Sequence, residues 1–202
     1  MIKKWMIAFI MFALLLAGCG TGKTSDNAAS NGDAVNNSKK EERVKAEVTE
    51  GDFVYRLVSE KEIYQDSEDV KLYAELEYVG DQEEIKIYHA ASPFYFPIVE
   101  KTRNYNIEYA MNEPLLTTTL EKGKPFREEY RGGGAYGSQD EQDYVEFMKD
   151  FMENGFPVGE YTVNGFADFF IEANEHDKKA EEKLEDKEKY KMQAQIEFEV
   201  VE

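Results

Sequence analysis

The chain predicts an all-β protein, an antiparallel β-sandwich with one accessory amphipathic helix. Three observations carry that expectation. From residue 52 to the C-terminus, apolar and polar residues alternate in short runs, the period of strands that bury one face. Glycine-containing turns such as Gly80-Asp81 and Lys122-Gly123 separate the runs. One stretch alone, residues 138–155, carries its apolar residues at helical spacing.

The elements follow in order. Phe53, Tyr55 and Leu57 share one face of a first strand. Val70, Leu72, Ala74, Leu76 and Tyr78 share a face of the next, with Lys71, Glu75 and Glu77 between them. Ile85, Ile87 and His89 alternate with Lys86 and Tyr88. Tyr105, Ile107, Tyr109 and Met111 repeat the scheme, and Leu116, Thr118 and Leu120 repeat it again. Tyr161, Val163, Phe169 and Ile171 lie on one long strand that Gly165 is expected to bend or bulge. Ala194, Ile196, Phe198 and Val200 finish the chain. About seven such strands fit a sandwich.

In the helix, Ser138 is the expected cap, and Glu141 three residues later completes a capping box. Tyr144, Phe147, Met148, Phe151 and Met152 form its apolar stripe, and Asn154-Gly155 stops it. Residues 174–190 are dominated by charge and predict a solvated excursion between the last two strands.

The N-terminus has a different logic. Lys3 and Lys4 precede thirteen apolar residues, Trp5 to Ala17. That run suits a secretory signal and is short for a bilayer span. Leu16-Ala17-Gly18-Cys19 follows, and then a polar stretch rich in Gly, Ser, Thr, Asn, Asp and Lys. The tetrapeptide resembles the lipobox of bacterial lipoproteins. The resemblance implies that a signal peptidase recognises Leu16, Ala17 and Gly18, that residues 1–18 are removed, and that Cys19 carries a diacylglyceryl group. It places the protein at the extracytoplasmic face of the cell membrane, anchored through the lipid on Cys19. Residues 19–50 are then lipidated N-terminus and flexible linker, and residues 51–202 are the domain.

The formal net charge is −18. Removing residues 1–18 takes away Lys3 and Lys4 and no acid, so −18 becomes −20 for the mature chain. Such acidity excludes nucleic acid as an expected partner and gives no attraction to anionic headgroups. Cys19 is the single cysteine, so no intramolecular disulfide and no cysteine catalysis are expected.

Several motifs are weighed and set aside. Gly22-Lys23-Thr24 lacks the first glycine of a phosphate loop, since that position is Ala17. Gly132, Gly134 and Gly137 fit G-x-G-x-x-G, but the charged segment Phe126–Arg131 before them is no buried parallel strand. His89 and His176 share no ligand spacing, so no metal site is expected. The acid clusters Asp66/Glu68/Asp69, Asp81/Glu83/Glu84 and Asp140/Glu141/Asp143 match no calcium loop. Pro93-Phe94-Tyr95-Phe96-Pro97 stands out. Proline lacks a ladder donor, so three aromatics between two prolines cannot form an ordinary central strand. Phe94, Tyr95 and Phe96 either plug one end of the sandwich, the favoured reading, or form an exposed interaction loop.

Within residues 70–172, Val70 to Gly80, Ile85 to Tyr95, Leu120-Glu121-Lys122-Gly123 and Phe156-Pro157-Val158-Gly159-Glu160-Tyr161-Thr162-Val163 resemble the immunoglobulin-like domain of the bacillar intracellular proteinase inhibitor. That family carries a Leu-x-Pro-Gly turn, where this chain has Lys122 for the proline, and a Pro-x-Gly-x-Tyr turn entering a strand. The resemblance implies an immunoglobulin-like sandwich. The expected function is a non-catalytic binding or interaction module in the cell envelope, with no cofactor and with an envelope protein as candidate partner. Proteinase inhibition outside the cytoplasm is the first alternative, and a wall hydrolase using paired carboxylates is the second.

Overall fold

The computed structural model describes residues 42–107, 111–172 and 187–202, all within one compact unit, Lys39–Glu202. Cys19, with Leu16, Ala17 and Gly18, lies outside the described residues, as do Tyr109 and His176.

Two sheets pack as a sandwich. The first has four strands: β1 (Val44–Glu50), β2 (Phe53–Ser59), β4 (Leu72–Tyr78) and β10 (Phe126–Glu129), in the order β1-β2-β4-β10. The second has the path β3 (Ile63–Gln65), β12 (Lys187–Val201), β11 (Gly159–Glu172), β5 (Glu84–His89), β9 (Leu116–Glu121). Short strands β6 (Phe94–Tyr95) and β7 (Ile98–Glu100) also pair with β11, and β8 (Tyr105–Ile107) pairs with β7. Helix α1 spans Gln142–Asn154. The described residues therefore hold twelve strands where the alternation suggested about seven, because two- and three-residue strands leave almost no periodic signal. Pairing is antiparallel except between β3 and β12, which run parallel over Ile63–Gln65.

Five local expectations are corrected. The domain begins earlier than residue 51: β1, inside the stretch read as linker, pairs in full register with β2 across the Gly51-Asp52 turn. Its Val44, Ala46 and Val48 are half-buried against the core. Ser138 does not cap α1. Glu141 is the N-cap, in extended conformation and with no side-chain bond, while the Gly137 N–H donates to Asp140. Phe147, Met148 and Phe151 are buried as the helical stripe requires, but Met152 is exposed. The charged stretch 174–190 ends inside β12, where Tyr190 is buried.

The fifth correction concerns Gly165. Its pairing with Ala194 lies in an unbroken register from Gly159↔Val200 to Glu172↔Lys187, so there is no bulge against β12. The glycine instead lets the sheets approach. A Cβ there would stand 2.7 Å from the Tyr55 hydroxyl and 2.8 Å from both Leu57 methyls.

Aromatic rings fill the interior. Phe53 sets its edge on Phe169 and Tyr190, at 4.9 and 4.8 Å, and those two rings stack at 5.1 Å. Tyr161 stacks on Phe198, and Phe156 meets both edge-on. Offset and edge-to-face geometries each add to the burial term. The outward face of the first sheet is a charge ladder. Arg56 reaches Glu47 and Glu77 at 2.6 Å, and Arg127 reaches Glu75 at 2.8 Å. Hydrogen bonds from Lys45 and Arg56 hold the Glu47 carboxyl below its usual range.

Two phenols tie the core to pH. The Tyr161 hydroxyl donates to the Pro157 carbonyl at 2.5 Å, and the Tyr190 hydroxyl donates to Glu188 at 2.6 Å. Burial raises both pKa values above the ordinary tyrosine value of 10.0, helped at Tyr161 by Glu100 and at Tyr190 by the bond to Glu188. Above that value the unfolded chain ionises these phenols and the folded chain does not. The folded state then holds more protons, and stability falls as pH rises, by up to about 1.4 kcal/mol per pH unit for each such group. We expect tyrosinate absorbance to show these phenols ionising only as the domain unfolds. Tyr161→Phe should flatten the alkaline limb of a stability-against-pH curve. A Tyr161 that ionises reversibly near pH 10 in the folded protein would refute this.

Candidate functional site

The aromatic segment between the prolines is mostly interior. Phe94 and Phe96 are 1% and 5% exposed, and only Tyr95 turns outward. An exposed three-residue interaction loop is thereby corrected to the burial alternative. The reason lies in the ladder: the Pro93 and Pro97 carbonyls accept from the N–H groups of Asp168 and Asn164, both at 2.8 Å. Docking onto β11 this way sends alternate side chains to opposite faces of the second sheet.

The buried rings form the floor of a cleft of about 360 Å³, lined by Ser92, Phe94, Phe96, Met111, Phe126 and Glu128 among others. Phe94 stacks with Phe126 at 5.9 Å, and Phe96 meets Tyr130 at 5.6 Å. Ser92 joins the walls: its hydroxyl donates to Glu128 at 2.7 Å and accepts the Phe94 N–H at 2.9 Å. A second cleft of about 400 Å³ lies on the helix side, between Ser67–Val70 and Phe151–Phe156. Tyr130, Arg131 and Gly132 line both clefts.

Strand β10 borders this groove. It is the last strand of its sheet among the described residues, paired with β4 on one side only. The Tyr130 N–H donates to the Leu72 carbonyl. Antiparallel alternation then turns the Glu128 and Phe126 main chain toward β4, and the Arg127 and Glu129 main chain away from it. An apolar floor thus lies beside a sheet edge that presents main-chain donors and acceptors. Sequence reasoning missed Ser92 and Glu128, which lie thirty-six residues apart and meet only through the tertiary fold.

The remaining motif residues serve the fold. His89 is buried. Its Nδ1 donates to the Ala90 carbonyl at 2.8 Å, and Thr118 lies 2.8 Å from Nε2. Gly134 packs on Met148, and α1 starts five residues after Gly137 with antiparallel β10 before it, unlike a dinucleotide loop. In the Pro157-x-Gly159-x-Tyr161 turn, Tyr161 bonds Pro157, and Gly159 leaves room for Glu100. Glu100 is fully buried and accepts the N–H groups of Thr102 and Arg103 at 2.9 and 2.7 Å. Among the described residues no three His, Cys, Asp or Glu side chains gather as metal ligands, and no helix is long and apolar enough to cross a membrane.

No protein-family model, curated protein or solved structure matches the chain. The groove therefore stands on its own geometry.

Proposed function

We propose that the chain is a lipid-anchored protein of the outer membrane face, whose immunoglobulin-like domain is a non-catalytic binding module. It takes an extended segment of an envelope protein along the edge of β10 that has no partner strand among the described residues. The lipobox residues Leu16-Ala17-Gly18-Cys19 support the anchor. The observation that carries the binding role is the aromatic cleft beside that edge. Added strands gain main-chain hydrogen bonds along an edge, and pockets for alternate side chains supply selectivity.

The test is photocrosslinking in intact cells from a reactive residue at Glu129, compared with one at Thr49 on the opposite edge of the same sheet. Glu129 should capture one envelope protein and Thr49 should not. Arg127→Pro removes an outward donor without touching the β4 ladder. It should weaken capture about tenfold, the loss of roughly 1.4 kcal/mol. Equal capture from both edges, or capture indifferent to Arg127→Pro, would sink the proposal.

A further inference from the structure

The outward face of the second sheet has an order of its own. Along β12 the alternate residues of this outward face, all exposed, read Lys187, Lys189, Lys191, Gln193, Gln195, Glu197, Glu199. One strand thus passes from three cations through two amides to two anions. Neighbouring strands keep the trend. At the lysine end, β11 adds Asp168 and Glu172, leaving cations in excess. At the other end it adds Glu160, against the single Lys101, whose Nζ lies 3.6 Å from Glu160 and 3.4 Å from Glu197. In a chain of net charge −18, a lysine-rich half face is a local exception.

The middle of the gradient is aromatic. Gln193 is the register partner of Phe166, and Phe166 stacks on Tyr95 at 4.6 Å with 6° between the rings. Both are half-buried. Lys191 sits 4.6 Å above the Phe166 ring.

We propose that this face binds the same face of a second copy, forming a two-fold symmetric dimer. A two-fold axis at Gln193, lying between the sheets and across the strands, runs the two β12 strands antiparallel. Lys187 then meets Glu199 of the copy, Lys189 meets Glu197, and Phe166 meets Phe166. An isologous interface needs this self-complementarity. The other two-fold, with its axis along the strands, sets lysine on lysine and glutamate on glutamate, so the gradient selects one orientation. The arrangement carries one like-charge pairing, Glu172 over Glu160, with Lys187 beside it. Strands β11 and β12, about 50 Å long, together with the row of short strands β5, β6 and β7 beside β11, make a face about 14 Å wide that offers roughly 700 Å², close to the roughly 800 Å² per partner of a standard interface. An aromatic centre with a polar rim matches the usual distribution of binding energy.

The test uses cysteines in the full chain in intact cells, together with sedimentation equilibrium of residues 20–202. Gln193→Cys, at the axis, should crosslink to itself. Lys187→Cys should not, yet should crosslink when co-expressed with Glu199→Cys. Lys187→Glu with Lys189→Glu should weaken the dimer at least tenfold, and adding Glu197→Lys with Glu199→Lys should restore it, since the gradient is then merely reversed. That restoration also shows that the reversed chain folds. A monomer at hundreds of micromolar, or a quadruple variant no better than the double, would overturn the proposal. So would a lysine face that binds an acidic polymer while self-association ignores the glutamates. None of these readouts involves the β10 groove, so the two proposals fail separately.

Discussion

Cys19→Ala is expected to yield a chain that keeps residues 1–18 and carries no lipid, whereas the wild-type chain extracted from membranes should begin at Cys19 and weigh more than its residues by the added acyl groups. Intact mass spectrometry of the two proteins decides it. The expectation is all-or-none because the thiol is the only attachment atom and Cys19 is the only cysteine. Its energetics are equally one-sided. Burying acyl methylenes contributes about 0.8 kcal/mol each, and two chains hold a protein where one is marginal. With a mature charge of about −20, the protein surface adds no attraction to anionic headgroups. A variant starting at residue 20 should accordingly leave the membrane fraction. A wild-type chain that retains residues 1–18 unmodified would sink the anchor, and with it the envelope setting of the β10 proposal.

Gly165→Ala is expected to cost about 2–3 kcal/mol, and Gly165→Val about 4 kcal/mol or more, read as a fall in the urea midpoint of residues 20–202 at unchanged slope. Two effects compete. Alanine in an extended strand restricts the unfolded chain and should stabilise by about 0.5–1 kcal/mol. Gly165 has no left-handed backbone to protect, so that gain is available. Against it stands the Cβ itself, 2.7 Å from the Tyr55 hydroxyl and 2.8 Å from both Leu57 methyls. Tyr55 and Leu57 are fully buried, and interiors at crystal-like density do not yield without moving neighbours. The clash wins. Pairing Gly165→Ala with Leu57→Ala makes room, so the double variant should cost less than the sum of its singles. A Gly165→Ala protein as stable as the wild type would mean that the sheets are not held as closely as described. Against a typical domain stability of about 5–15 kcal/mol, the valine variant approaches the limit of folding.

Strand alternation was plain in the sequence wherever one face meets water. The residues read as inward on β2, β4 and β11 are inward, because a period of two leaves only two faces and the apolar one must be buried. Helix α1 was found from its stripe and its Asn154-Gly155 stop, while its start was not, since the first turn forms at Gln142, with Glu141 as its N-cap, past Ser138. Short strands β3 and β6 were illegible: two or three residues carry no period, and their partners are distant in the chain.

The sandwich class, the core faces of the long strands and the acidity of the domain are legible in the chain of residues alone. These follow from side-chain polarity and backbone period, which are local. The graded outward face of β12 was also written there, in seven alternate residues, but had no meaning until burial identified which face met solvent. Tertiary structure alone decided that Phe94 and Phe96 turn inward while Tyr95 turns outward, that Ser92 meets Glu128, and that Gly165 serves sheet contact without a bulge against β12. Each depends on which surface lies across the core, and that is set by the summed packing of both sheets, which no local pattern in the chain encodes.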